Sequence, residues 1–189
     1  MTLAPAKAAT DSPHQHGAGA LNVVVDGSDL ALEVRLPAID IVGFEHEPRN
    51  EEQTAQVEKA LASFIDGRTW FEPSSSAACI LETAHASMVG RSVEFKPGPS
   101  EGKSSHESKH DHEREHHQHE DKHGDEDLHS DFEGDLEFHC DSPRELNQLK
   151  VLLFTVFPGV KALDVQVVTP AMQTKRALSA EQSVLSLSR

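Results

Sequence analysis

The sequence predicts an α+β fold: a mainly antiparallel sheet with two helices, ordered ββαβ, then a polar insertion, then βαββ. Three observations carry this expectation. Short runs alternate apolar with polar residues between Asp, Gly and Pro, as half-buried strands do. Two longer runs carry apolar residues at helical spacing behind capping residues. Between the halves lies a stretch with almost no apolar residues, whose composition cannot build a core.

In chain order, LNVVV (21–25), DGSD (26–29) and LALEVRL (30–36) read as strand, turn and strand, with Asp26-Gly27 as the hairpin signal. Leu30, Leu32, Val34 and Leu36 alternate with Ala31, Glu33 and Arg35, and Pro37 ends the run. PAIDIVGFEHEP (37–48) reads as a loop carrying Glu45 and His46. Asn50 is placed to cap a helix from Glu51 to about Ile65, with Glu51 and Glu52 in the first turn, where the helix dipole favours anions. Val57, Ala60, Leu61, Phe64 and Ile65 form its apolar stripe, and Gly67 stops it. Residues 69–76 read as an irregular link. CILETAHASM and SVEFK read as one long or interrupted strand, which Pro97, Gly98, Pro99 and Gly102 lead out of.

After the insertion, Phe132, Leu136 and Phe138 share one strand face, opposite Asp131, Glu133, Asp135, Glu137 and His139. Ser142 and Pro143 look like the N-cap and first position of a second helix running to about Phe157, with Leu146, Leu149, Leu153 and Phe157 as its stripe. VKALDVQVV and SVLSLS are the last strands expected. The organisation expected is a single α+β domain over residues 14–189, interrupted by a flexible His-rich loop over 98–130, behind a disordered segment 1–13.

The 189 residues carry a formal charge of -15 with histidines neutral. Such a charge disfavours nucleic acid and anionic membrane surfaces as partners and suits cations. The sequence lacks a run of about 18 apolar residues, so no membrane-spanning helix is expected. The N-terminus has no apolar signal-peptide core, which fits either a cytosolic start or a mature secreted chain with a new Met.

The insertion holds His106, His110, His112, His116, His117, His119, His123 and His129, interleaved with Asp and Glu. Neutral imidazole is the commonest protein ligand for metals, and carboxylate joins it on zinc. His106/His110, His112/His116 and His119/His123 are four apart, and His116/His119 three apart. On a helix such pairs share a face and can chelate one ion. The free tract is too polar to repay its ordering, so it is expected to order only transiently, around metal. The bland alternative is an acidic solvated linker.

Five histidines lie elsewhere. His14 and His16 flank one residue, so an extended segment points both rings the same way. His46 sits beside Glu45 in a loop, His85 in a strand among small residues, and His139 next to Cys140 on a polar strand face. The preferred folded site combines His14, His16, His46 and His85, completed by Glu45 or a tract histidine. Imidazole also suits copper and nickel.

Cys79 and Cys140 are the only cysteines, and neither belongs to a CxxC pair. If their strands are neighbours, a disulfide could staple them; two buried free thiols are the other reading. The sequence contains no HExxH, no GxSxG and no triad supported by a local motif, so no enzyme activity is expected.

HQHGAGALNVVVDGSDLALEVRLPAIDIVGFEHEP (14–48) resembles the opening of ZrgA-like periplasmic zinc-binding proteins, with its HxHG pair, "PA" turn and GFEH-x-P loop. The likeness continues through ALASF, AAC (77–79), the His/acid insertion, the FHC strand end, FPGV and VQVVTP. It implies zinc as the metal, and His14, His16 and His46 as motif positions. It also implies a secreted protein whose signal peptide is absent here, a Cys79–Cys140 disulfide, and a role in zinc uptake under zinc limitation. A zinc ABC importer or its binding protein is then the expected partner. A zinc-dependent interaction or regulatory protein is the alternative, and a metallo-enzyme a weaker one.

Overall fold

A computed structural model describes residues 16–88, 91–96 and 130–188. The 1–13 segment, His14 and the tract histidines His106, His110, His112, His116, His117, His119, His123 and His129 lie outside the described residues.

The chain begins with the expected hairpin, β1 (Ala18–Asp26) and β2 (Asp29–Pro37). A short helix α1 (Ala38–Val42) follows, then α2 (Glu51–Ile65). Next come β3 (Phe71–Pro73), β4 (Cys79–Met88), β5 (Arg91–Phe95) and β6 (Asp131–Cys140). The last elements are β7 (Gln148–Val151), α3 (Leu153–Val156), β8 (Ala162–Thr169), β9 (Met172–Ser179) and β10 (Val184–Ser186).

Seven strands form one sheet in the order β5-β4-β6-β2-β1-β8-β9, and three form a second, β10-β7-β3. Every pairing is antiparallel except β1 with β8. The expected α+β class with a mainly antiparallel sheet is the one observed.

Alternation explains the layering. Along β2, Leu30, Leu32, Val34 and Leu36 are buried, and along β6 Phe132, Gly134, Leu136, Phe138 and Cys140. These residues join Leu21, Val23, Leu163, Val165 and Val167 on one face of the large sheet, against α2 and the small sheet. The opposite face meets solvent, as antiparallel sheets allow.

Local chemistry sets α2 at the predicted bounds. The Asn50 side chain accepts from the Gln53 N–H at 2.8 Å, and the Gln53 side chain accepts from the Arg49 N–H at 2.7 Å. One orphan donor of the first turn, and the N–H of the residue before the cap, are thereby satisfied. Phe64 on α2 then meets Trp70 and Phe132 edge-on, with ring centroids 4.8 and 5.1 Å apart. Trp70 stacks on Phe132 at 4.9 Å. This cluster of fully buried rings fastens the helix to the middle of the large sheet.

Five local expectations are corrected, the first being that the stretch 37–48, expected as a loop, opens with helix α1. The second long helix does not form: a 3-10 turn at Pro143–Glu145, strand β7 and the single turn α3 replace it. Ser142 makes no side-chain cap. In β7, Leu149 and Val151 are buried while Gln148 and Lys150 are exposed, a period of two that the helical reading of Leu146, Leu149 and Leu153 concealed. Pairing with β3 and β10 on either side makes the strand the better outcome. The run over 79–96 is a hairpin of β4 and β5 rather than one strand. The link after Trp70 contains β3, and β9 lies where no strand was expected.

Cys79 and Cys140 are register partners on β4 and β6 and form a disulfide with an S–S distance of 2.05 Å. Among the described residues, no helix is long and apolar enough to cross a membrane.

Candidate metal centre

The large sheet has two distinguishable ends. At one end β2 finishes as β6 starts, with Pro37 paired to Asp131, and β4 finishes opposite Phe132. Antiparallel pairing with β2 puts the start of β1 at this end too. His16 stands two residues ahead of β1 and is exposed.

Helix α1 leaves from this end. Gly43 closes it in the left-handed region at φ 85°, donating its N–H to the Ile39 carbonyl at 3.0 Å. A side chain is disfavoured in that conformation, so glycine sets the turn into Phe44, Glu45 and His46. Phe44 is buried, and the His46 ring stacks on it with centroids 5.1 Å apart and planes 21° apart. His46 Nδ1 lies 2.8 Å from the Glu47 carbonyl oxygen. A carbonyl only accepts, so Nδ1 carries the proton there and Nε2 keeps its lone pair. That arrangement fixes tautomer and ring direction in metal-ligating histidines. Half-buried Glu45 beside it adds an oxygen donor of the kind zinc takes.

The chain leaving the His-rich tract returns to the fold at the same end. The Ser130 carbonyl accepts the N–H of Ala38, first residue of α1, at 2.9 Å. Residues that follow the tract are thus tied to the segment that leads to Glu45 and His46.

His85 is placed elsewhere. It lies within β4 on the solvent face, in register with Glu94 of β5 and Asp135 of β6. Its Nδ1 is 3.8 Å from Asp135 Oδ2. The row continues to Glu33 of β2. Desolvation first, then the neighbouring Glu33, pushes the Asp135 carboxyl up from its ordinary value, and His85 opposes this.

His139 lies at the opposite end, in register with Asp29 and one residue before the disulfide. Its Nδ1 is 2.9 Å from Asp29 Oδ1. That hydrogen bond is the main cause holding the imidazolium above its ordinary pKa, and the charges of Asp29, Glu82 and Asp141 add to it.

The set proposed from sequence is therefore divided. His16 and the start of the helix leading to Glu45 and His46 belong to one end, His85 to the open face and His139 to the far end. Among the described residues, no three His, Cys, Asp or Glu side chains gather where they could hold an ion. The described residues bring at most two such donors to any one point. Sequence reasoning missed Asp29 and Asp135 as histidine partners and Phe44 as the platform under His46. Strand register creates the first two, and no local pattern announces it. Burial creates the third, and the apolar residue two positions before His46 was its only trace.

The sequence matches the family described as ZrgA family zinc uptake protein over residues 13–187. No curated protein matches the chain. The match spans both halves of the fold and the insertion between them, so the chain belongs to the ZrgA family of zinc uptake proteins.

Proposed function

We propose that this protein captures zinc in the periplasm and assists its import under zinc limitation, passing the ion to an ABC importer or its binding protein. One observation carries the reading. A single sheet end bears His16, the start of the helix α1 that leads on to Glu45 and His46, and Ser130, where the chain returns from the His-rich tract. Tract histidines would meet the ion first, and His16 and His46 would hold it together with ligands supplied by His14 and the tract. The charge of -15 favours cation encounter. The disulfide suits an oxidising compartment. On this reading the chain is a carrier and not a catalyst, and its zinc is cargo.

The test is a zinc titration of the oxidised protein and of a variant lacking residues 101–129, by calorimetry against a competing chelator. The shortened protein is expected to keep one tight site and lose the weaker ones. Loss of every tight site on removing the tract would sink the folded-site reading. Because ligands must shed protons, tight binding is expected to weaken as pH falls through the ordinary histidine range, about 6.5.

A further inference from the structure

We infer that Asp40 is a positioning residue, a carboxylate that locks Gly17, next to His16, onto the helix leading to His46. The inference rests on the reading above that His16 and His46 both take zinc.

Gly17 follows His16, and its N–H donates to Asp40 Oδ2 at 2.7 Å, across 23 residues of sequence. Its carbonyl accepts from Lys161 N at 2.7 Å and Ala162 N at 2.9 Å. Both backbone groups of Gly17 are thus engaged, and its φ of 82° lies where a side chain is strained. The residue is clamped with one defined geometry, so the direction of His16 is inherited from Asp40 on one side and β8 on the other.

Asp40 is itself held. It lies in the first turn of α1, half-buried, three residues before the glycine that turns the chain to Phe44 and His46. Gly159 packs against its backbone: a Cβ added there would stand 2.7 Å from the Asp40 carbonyl oxygen. A five-residue helix has little stability of its own, so its orientation must come from such contacts. The hydrogen bond joins two segments that are remote in sequence and gives them one shared orientation. A carboxylate suits this task because a charge-assisted bond to a backbone N–H is stronger than a neutral one.

The test uses full-length oxidised protein, zinc alone with a competing chelator, and Gly17 amide exchange measured without metal. Asp40→Ala is expected to speed Gly17 exchange and weaken the tightest zinc site by about tenfold, as loss of a ligand's supporting partner does. Asp40→Asn, whose side-chain oxygen still accepts, is expected to restore both. Should Asp40→Ala fail to fold, Asp40→Ser takes its place with the same outcomes, because its hydroxyl stops short of Gly17. His16→Ala and His46→Ala are measured alongside. If both weaken the site while the Asp40 variant changes it by less than about threefold, the positioning role falls and the zinc reading stands. Equal loss in the Ala and Asn variants also overturns the role. If neither histidine variant weakens the site, the zinc reading falls and takes the positioning role with it.

Discussion

The two ends of the large sheet each fix a histidine, by opposite means. His139, at the disulfide end, gives Nδ1 to the exposed carboxylate of Asp29, which favours the charged ring. His46, leading from the other end, gives Nδ1 to a carbonyl and lays its ring on buried Phe44. A carbonyl sets the tautomer without adding charge, whereas a carboxylate on Nδ1–H also favours the doubly protonated ring, whose Nε2 proton a metal must displace. The same side chain thus carries a tautomer set by a carbonyl in one place and an ion pair in the other. The ends also differ in how the backbone is secured. A covalent staple joins β4 to β6 at one, and hydrogen bonds at Gly17 and Ala38 tie down the other.

The staple gives the largest expected effect. Cysteines 61 apart close a loop worth about 4 kcal/mol by chain entropy, so Cys79→Ser with Cys140→Ser should lower stability by that order in denaturant unfolding. If the ends are independent, the tightest zinc site should survive while the protein stays folded. Loss of that site under native conditions would show the ends to be coupled.

Phe44 tests the opposite end. Phe44→Ala removes a buried ring and the platform under His46, at an expected cost of about 3 kcal/mol, together with weaker zinc binding. Weaker stability with unchanged zinc affinity would mean that the stacking does not orient a ligand.

The smallest effect is at His139. Its raised folded pKa contributes stability that is fully present below the ordinary histidine value of about 6.5 and is lost as pH rises through the folded value. Asp29→Asn should bring the titration of His139, followed by NMR, back toward the ordinary value and flatten that small pH dependence. Zinc affinity should stay as it is. An unmoved titration would show that Asp29 is not the cause.

Much of the fold was legible where the signal is local. Helix α2 carries its cap, its acidic first turn and its apolar stripe within one run, and its bounds followed. The hairpin of β1 with β2 announced itself through alternation around Asp26-Gly27. What failed depended on distant partners. Leu146, Leu149 and Leu153 fit a helix until β3 and β10 flank the segment. In β9, MQTKRALS buries fully only Leu178, as an edge strand can, so its pattern carried little signal. The candidate site divides in the same way. The motif histidines His16 and His46 could be named from their segments, but the position of His85 beside Asp135 follows from the register of β4 on β6, which no local pattern encodes.

The one parallel pairing governs when the molecule is finished. Strand β1 is among the first ordered pieces synthesised, yet one of its two neighbours is β8, some 140 residues later in the chain. The carbonyl beside His16 finds its donors only when Lys161 and Ala162 arrive. A chain still being synthesised therefore has His16 translated before the partners of Gly17 beside it have arrived. Assembly of that end waits for nearly the whole polypeptide, so an incomplete chain cannot present the finished arrangement to a passing ion.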